Sequence, residues 1–313
     1  MRGAMLRNLG HPYVLLGLTA LIWGANAVAG KLAVGHVSPM ALTLLRWVLA
    51  ALLLLPFSWK HLRADWPAIR PRLVYFAVLG LFGFTGFNAL FYLGLEYTTA
   101  IHAMIVQSSM PLVVFVGMFA LFRARTTPLQ VCGFALTLVG VLVTAAHGDP
   151  RQLLALEVNR GDALLLVAVL LFGSYTILLS SKPRIHWLSS ITLISLSACA
   201  SSLPFAVLEW SADRLRWPDA QGWAVVAFTV ILPSILSQTF YMRGVELIGA
   251  NRANLFINLV PIFGTLLAVL VLGEDLRLYH VLALGLVLGG ILLAERGKPT
   301  ARVADRPAAP AAP

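Results

Sequence analysis

Long hydrophobic stretches, separated by short polar segments, run through most of this 313-residue chain. An α-helix needs about 20 apolar residues to cross a hydrocarbon core of about 30 Å. Ten stretches fit this length and predict helices 1 to 10, at residues 12–34, 39–59, 72–95, 98–122, 128–146, 161–181, 188–210, 221–243, 247–272 and 278–295. With 59% hydrophobic and 12% charged residues, the chain cannot bury its apolar surface in one soluble core. The pattern predicts an all-α membrane protein that contacts the lipid bilayer.

The two halves of the chain repeat each other at an interval of 150 positions. The matched pairs are Gly94 and Gly244, Glu96 and Glu246, Ala100 and Ala250, Ala103 and Ala253, and Pro111 and Pro261. Each half contains five predicted helices, and an odd number of crossings reverses the orientation of the second half. We therefore predict two inverted-topology five-helix repeats around a central cavity, an arrangement typical of carriers that work by alternating access.

The repeats also suggest how the chain is divided. We predict a cytoplasmic N-terminus at 1–11, the first repeat at 12–146, a periplasmic loop at 147–160, the second repeat at 161–296, and a disordered cytoplasmic tail at 297–313. The tail is rich in proline and alanine, and such a composition cannot bury enough apolar surface to fold.

The net charge of +10 does not form a single basic patch, because the basic residues alternate from loop to loop. Most lie in segments on one side, whereas the loops on the other side hold only Arg151, Arg160, Arg214, Arg216 and Arg277. Cytoplasmic loops carry the excess of Lys and Arg in membrane proteins. Both termini are therefore predicted to be cytoplasmic, and nucleic acid is not expected as a partner.

Two basic residues lie inside predicted helices, where a charge needs a partner or water. Arg46 lies about 10 Å into helix 2 at 1.5 Å per residue. It either binds backbone carbonyls of a neighbouring helix or contacts substrate. Lys31 lies near the outer end of helix 1 and either extends to the headgroups or faces a cavity.

Helices 3 and 8 share two features at equivalent positions. Gly83 matches Pro233, and both residues weaken a helix. Asn88 matches Gln238, and amides are costly in hydrocarbon unless they face protein, water or a ligand. The pairs predict helix discontinuities beside a cavity, although the amides could also join neighbouring helices.

Helices 4 and 9 carry further polar side chains before Pro111 and Pro261. In helix 9, Asn251, Asn254 and Asn258 recur at i, i+3 and i+7, so they share one face. That face either lines a cavity for a small solute with polar and apolar portions or packs against another helix. In helix 4 the candidates are His102, Gln107 and Ser108, and Arg252 occupies the position in helix 9 that matches His102.

No predicted helix carries a carboxylate at mid-membrane, so a carboxylate proton relay is not supported. The chain has no HExxH motif, Cys-His cluster or aspartate pair, and we therefore expect no catalytic residue, metal ligand or cofactor. A membrane-embedded enzyme remains the alternative from another class. A monomer and a homodimer are both compatible with the sequence.

Two blocks carry a resemblance to a known family: GLEYTTAIHAMIVQSSMPLVVFVGMFALF, and GVELIGANRANLFINLVPIFGTLLAVLVLGED, residues 244–275. They resemble the paired EamA-type repeats of the drug/metabolite transporter superfamily, and the resemblance covers residues 12–296. It implies a ten-helix bundle in a bacterial plasma membrane that transports a small molecule, usually exporting amino acids or other metabolites. Efflux of drugs or toxic compounds by the same fold is the alternative.

Residues that match the family's first repeat are Trp23, Asn26, Lys31, Arg46 and Pro111, and those that match the second are Asn254, Asn258, Pro261, Gly273 and Glu274. One departure is Leu121-Phe122-Arg123-Ala124, where the family's first repeat usually has a Leu-Gly-Glu-like turn. We expect Glu274 to cap a helix end instead of binding substrate. The complete set of predicted cavity residues is Trp23, Asn26, Lys31, Arg46, Asn88, His102, Gln107, Ser108, Tyr175, Gln238, Asn251, Arg252, Asn254 and Asn258, with hinges at Gly83, Pro111, Pro233 and Pro261.

Overall fold

A computed structural model describes residues 11–122, 127–149, 159–179, 181–248 and 256–297, and these residues form helices without any β-strand. The helices are α1 (Pro12–Ala33), α2 (Pro39–Ile69), α3 (Leu73 to Tyr97), α4 (Ala100–Gln107 and Met110–Phe122), α5 (Pro128–Ala145), α6 (Arg160–Leu179), α7 (Trp187–Ser211), α8 (Ala220 to Ile248), α9 (Val260–Leu272) and α10 (Leu278–Arg296). The all-α prediction is confirmed for these residues.

Five helical runs in the described ranges are long and apolar enough to cross a membrane. They are Pro12–Ala33, Pro39–Tyr97, Arg160–Leu179, Trp187–Ser211 and Ala220–Gly244, and the second of them contains both α2 and α3. The remaining apolar helices are shorter. Ten membrane crossings and an inverted topology stay predictions.

Helix α2 ends ten residues later than the sequence predicts, at Ile69. The extra turns are polar, and they pack against the start of α7. The side chain of Asp65 accepts a hydrogen bond from the His186 N–H at 2.9 Å, and the ring of His61 stacks on that of His186 at 3.7 Å. These tertiary contacts stabilise helix beyond the apolar stretch from which its end was predicted.

Four irregular segments among the described residues form two pairs spaced by 150 residues. The segments Gly80–Gly86 in α3 and Val230–Leu236 in α8 are π-helical. Turns at residues 108–109 and 258–259 come directly before the helical segments that contain Pro111 and Pro261. Discontinuities in helices 3 and 8 were predicted from Gly83 and Pro233, and both residues lie in the π-helical segments.

The interruption of α4 lies within the predicted helix over 98–122, at residues 108–109, directly before the segment that contains the predicted hinge Pro111. Pro111 has no N–H to donate to the carbonyl of Gln107, so the regular hydrogen-bond pattern cannot pass through it. The hydroxyls of Ser108 and Ser109 instead bond the carbonyls of Met104 and Val106, each at 2.7 Å. In the second repeat, α8 continues to Ile248, past its predicted end, and residues 249–255 of predicted helix 9 lie outside the described ranges.

Glycines allow the closest helix contacts, as is usual in membrane bundles. Helix α5 packs along α10, where a Cβ on Gly133 would lie 2.4 Å from the carbonyl oxygen of Gly290, and a Cβ on Gly290 would lie 2.3 Å from that of Gly133. Helix α3 approaches α6 at Gly94 and Gly161 in the same reciprocal manner. Helices of the first repeat therefore pack directly on helices of the second.

The start of α8 is fixed against the loop between α1 and α2. Asp219 precedes α8, and its carboxylate accepts hydrogen bonds from the Gly222 N–H at 2.9 Å and from the His36 ring at 2.7 Å. These bonds, the one from Gly222 first, hold the pKa of the exposed Asp219 carboxyl below its usual range. The backbone of Ser38 also donates to the Arg216 carbonyl at 3.1 Å. The two loops thereby hold α1, α2 and α8 together around the interior.

Candidate functional site

The side chain of Arg46 lies in the interior of the bundle and is only 5% exposed. Its Nε donates a hydrogen bond to the Ser234 hydroxyl at 2.8 Å. Its Nη1 donates to Oδ1 of Asn88 at 2.8 Å and to Oδ1 of Asn26 at 3.3 Å, and it also bonds the Tyr92 hydroxyl. Four helices, α1, α2, α3 and α8, therefore meet at one guanidinium. We call these five residues the Arg46 group.

The irregular segments of α3 and α8 position the partners of Arg46. Asn88 lies two residues beyond the π-helical segment of α3, and its amide Nδ2 donates to the Phe84 carbonyl at 2.6 Å, which leaves Oδ1 for Arg46. Ser234 lies inside the π-helical segment of α8 and donates to the Thr229 carbonyl at 2.7 Å. The Ser234 oxygen is thus an acceptor for Arg46. Single π-helical turns are frequent at functional sites.

The charge of Arg46 is not neutralised by the protein around it. In the described ranges no carboxylate lies within 4 Å of its guanidinium, and all of its hydrogen-bond acceptors are neutral oxygens. The same residues provide no partner for Nη2, although an arginine has five N–H donors. The guanidinium also lies over the Trp47 ring, 4.9 Å from its centroid. The Arg46 group is therefore a buried positive centre with neutral partners, and its Nη2 has no hydrogen bond within the described part of the chain.

A second polar cluster lies at the end of the bundle where α4, α6 and α10 begin, which the sequence predicts to face outside. His102 and Asp162 are 2% and 1% exposed. Nδ1 of His102 lies 3.3 Å from Oδ2 of Asp162, and its Nε2 lies 3.2 Å from the Tyr279 hydroxyl. The Thr98 hydroxyl donates to Oδ1 of Asp162 at 2.8 Å, and the His147 ring lies 4.7 Å from that of His102. None of these bonds reaches the Arg46 group.

Two charged side chains at the same end bind helix termini. The carboxylate of Glu274 accepts hydrogen bonds from the N–H groups of Ala100 and Ile101, at 2.8 and 2.9 Å, so the prediction that it caps a helix end is confirmed. Nζ of Lys31 donates to the carbonyls of Leu95 and Thr98, both at 2.7 Å, at the end of α3. Each charge has the sign that its helix dipole favours. Lys31 thus contacts a neighbouring helix, and both of these hydrogen bonds go to backbone carbonyls outside the Arg46 group.

Replacing Glu274 with alanine should reduce the free energy of unfolding by about 2 kcal/mol, because the start of α4 loses two hydrogen bonds to a charged group. The measurement is an SDS titration of the purified protein in mixed micelles. The matched control is Asp275→Ala, since Asp275 is the exposed neighbour of Glu274 and precedes α10. Equal losses in the two variants would contradict the capping role.

Several predicted cavity residues have packing roles in the structure. The ring of Trp23 lies 5.5 Å from that of Tyr241, which joins α1 to α8. The Tyr175 ring covers Gly83, where an added Cβ would lie 2.4 Å from it. Ser108 bonds its own helix at the break of α4. None of these three side chains is a hydrogen-bond partner of Arg46 in the described residues.

Gln107, Gln238 and Asn258 are half-buried and lie beside three of the discontinuities. Gln238 follows the π-helical segment of α8 by two residues, as Asn88 does in α3. Asn258 lies in the turn that precedes Pro261. The remaining members of the predicted asparagine stripe, Asn251 and Asn254, and the predicted partner of His102 in the repeat, Arg252, lie outside the described residues.

One open space on the bundle does not correspond to the expected central cavity. A groove of about 290 Å³ lies between α1, α8 and α9, with a lining that is apolar apart from Gln221. It includes no member of the Arg46 group. In this conformation the polar centre and the apolar groove are separate.

The sequence did not identify Tyr92, Ser234, Asp162, His147 and Tyr279 as site residues. A local signal existed for Tyr92, because it follows Asn88 by four residues and so shares its helix face. Ser234 contacts Arg46 from a π-helical segment 188 residues away, and Asp162 contacts His102 from the other repeat. No local pattern connects residues so distant in the chain.

Comparisons with known proteins agree with this architecture. The sequence profile of the EamA-like transporter family matches residues 11–146 and 159–295. The chain is 26% identical to the uncharacterized transporter YyaM of Bacillus subtilis (92% of this chain and 94% of YyaM) and 26% identical to the uncharacterized inner membrane transporter YicL of Salmonella typhimurium (88% and 92%). One solved crystal structure shares the fold with a TM-score of 0.60 at 21% identity, over 90% of this chain and 95% of that one. The match of the family profile to both halves confirms the resemblance, and the chain belongs to the EamA-like transporter family.

Proposed function

We propose that this protein is a secondary carrier for a small metabolite with a carboxylate, such as an amino acid or a related amphipathic compound. The buried guanidinium of Arg46, which has neutral partners and an unbonded Nη2 in the described part of the chain, carries this proposal. The carrier exports its substrate across a bacterial plasma membrane, and both chain termini are cytoplasmic. The excess of basic residues in the predicted inner loops supports that orientation.

A carboxylate is the ligand that the Arg46 group suits best. The planar guanidinium can donate two parallel hydrogen bonds to a carboxylate, and such charge-assisted pairs are stronger than bonds between neutral groups. A charged residue inside a membrane marks a functional site by default. The bound anion would neutralise Arg46, and the asparagine and tyrosine oxygens would keep the guanidinium in place between transport cycles.

Alternating access is supported by where the four discontinuities lie. They form two pairs, and the members of each pair lie at equivalent positions in the two repeats. The π-helical pair adjoins Arg46 through Asn88 and Ser234. In carriers built from inverted repeats, discontinuous helices form the central site and the two repeats rock about it. We therefore assign Gly83, Pro111, Pro233 and Pro261 to hinges and the ten helices to two inverted repeats.

The apolar part of the substrate would bind beside the discontinuities. Tyr175 and Trp23 supply aromatic surface there, and Gln107, Ser108, Gln238 and Asn258 supply polar groups. In this proposal Asn251 and Asn254 share the amide-rich face with Asn258, and Arg252 is a further candidate for a substrate contact. An amino acid with a large hydrophobic side chain combines the polar and apolar portions that these residues fit.

Counterflow in proteoliposomes tests the proposal. Vesicles that contain purified protein are preloaded with an unlabelled hydrophobic or aromatic amino acid, and entry of the labelled compound is followed without a pH gradient. We expect transient accumulation of the labelled acid, and at least about tenfold weaker accumulation of its carboxamide, because the amide forms no ion pair with Arg46.

Two outcomes would contradict parts of the proposal. Accumulation of hydrophobic cations, with none of the carboxylates, would favour drug efflux over metabolite transport. Empty vesicles give the background. Wild-type accumulation no greater than in empty vesicles for every carboxylate and cation tried would contradict a carrier.

A further inference from the structure

We propose that His102, His147 and Asp162 bind one divalent transition metal ion, such as Zn²⁺, at the predicted outer end of the bundle. These residues offer two imidazole nitrogens and one carboxylate oxygen, and the three atoms lie within 4.8 Å of one another. His102 and Asp162 are almost fully buried, and His147 is half-buried. The site lies in neither the Arg46 group nor the apolar groove, and its binding of metal does not depend on the proposed transport function.

The distance between His102 and Asp162 already matches tetrahedral coordination. Zinc binds imidazole nitrogen and carboxylate oxygen at about 2.0–2.1 Å, so neighbouring ligand atoms of a tetrahedral site lie about 3.3 Å apart. Nδ1 of His102 and Oδ2 of Asp162 are separated by 3.3 Å. A metal bound between them replaces a single hydrogen bond and requires little movement of these two buried side chains.

His147 supplies the third ligand, and its side chain moves toward the other two when metal binds. It follows the end of α5 and has a left-handed backbone conformation, with a φ of 51°. Its Nδ1 is buried and has no hydrogen-bond partner among the described residues. Coordination would provide the partner that this nitrogen lacks, after the His147 side chain moves closer to His102 and Asp162.

Neighbouring residues support the ligands as a metal site requires. The Thr98 hydroxyl holds the second carboxylate oxygen of Asp162 at 2.8 Å, and the Tyr279 hydroxyl lies 3.2 Å from Nε2 of His102. These contacts leave Oδ2 of Asp162 and Nδ1 of His102 for the metal.

The surroundings of His280 indicate that the fourth ligand is a water molecule. His280 is 4% exposed, and its ring lies 5.2 Å from that of His102. Nδ1 of His280 accepts a hydrogen bond from the Arg277 N–H at 3.1 Å, so the neutral ring carries its proton on Nε2. The described residues offer no acceptor to this buried N–H. A water molecule on the metal would provide one.

The ligand types select the class of metal. Imidazole nitrogen favours zinc, copper, nickel and other transition metals, whereas Ca²⁺ and Mg²⁺ prefer sites composed of oxygen atoms. The metal would also connect the two repeats, because His102 belongs to the first, His147 directly follows the first, and Asp162 belongs to the second. We therefore infer that bound metal strengthens the contact between α4, α5 and α6.

The test is metal binding by the full-length protein in detergent, purified through an affinity tag without histidine and stripped of metal with a chelator. Zn²⁺ is titrated by calorimetry, and Co²⁺ is followed by its visible absorption, which reports tetrahedral coordination. We expect one ion per chain. His147→Asn and Asp162→Asn should each weaken binding at least about tenfold, since each removes a ligand. Asparagine tolerates the left-handed conformation at 147, so this variant should fold even if Asp162→Asn does not.

The matched control is His61→Gln. His61 stacks on His186 at the opposite end of the bundle, and this pair is the other place where histidines meet in the described residues. The control should bind Zn²⁺ with wild-type affinity. The proposal is overturned if the wild-type protein binds no ion, if His147→Asn retains wild-type affinity, or if His61→Gln is the variant that loses binding.

Discussion

Replacing Arg46 with glutamine should weaken the apparent affinity for a transported carboxylate about 100-fold and remove the preference for the acid over its amide. Hydrogen bonds between charged groups contribute about 1.5–3 kcal/mol, and a loss near the upper value corresponds to about 100-fold in affinity. Glutamine is neutral and lacks the two parallel donors of the guanidinium. Counterflow with a matched acid and carboxamide measures both effects.

The design separates a substrate contact from a structural role. If Arg46 only held the helices together, the variant would give a lower yield of folded protein. Its transport of the acid and of the amide would then fall by the same factor. Arg63→Gln is the matched control, because Arg63 is an exposed arginine of α2 whose guanidinium lies over the Trp59 ring. A well-folded Arg46→Gln variant that still prefers the acid would contradict the carboxylate site.

Replacing Gly290 with alanine should reduce the yield of folded protein and its thermal stability more than any other glycine-to-alanine change in α10. A Cβ at this position would lie 2.3 Å from the Gly133 carbonyl oxygen and 2.5 Å from the Thr137 hydroxyl oxygen. Backbone atoms of a packed helix cannot shift individually to make room, so α5 and α10 must separate. We expect the free energy of unfolding to fall by about 1–3 kcal/mol. The SDS titration in mixed micelles measures it.

The neighbouring residue provides the control for this prediction. Gly289 is also in α10, and nothing lies within 4 Å of a Cβ built on it. Alanine favours helix over glycine by about 1 kcal/mol, so Gly289→Ala should be neutral or stabilising. If the two alanine variants behaved alike, the close packing of α5 on α10 would not determine stability.

The helix pattern and the repeat could be predicted because they depend on local chemistry. Hydrophobic stretches near 20 residues long specify membrane helices wherever they occur in the chain. The weak points at Gly83 and Pro233 were visible because glycine and proline disturb a helix by their own backbone properties. Helix ends were less predictable, as the extension of α2 to Ile69 shows, because contacts with His186 stabilise it.

The partners of the polar residues could not be predicted in the same way. Arg46 was identified as a buried charge that needs a partner, but the sequence left open whether that partner is protein or substrate. Four neutral side chains from three other helices, and no carboxylate in the described ranges, are what the folded chain provides. Lys31 shows the same limit, since its two carbonyl acceptors lie 64 and 67 residues away.

The sequence by itself thus determined the membrane class, the twofold repeat, the positions of the helix discontinuities and the presence of a charge in the interior. The tertiary structure alone decided that Arg46 meets Ser234 and that His102 meets Asp162 and Tyr279. The physical reason is that helix formation depends on neighbours within a few residues, whereas these contacts depend on which helices pack together. That packing is set by glycine contacts such as Gly133 with Gly290, spread over the whole chain.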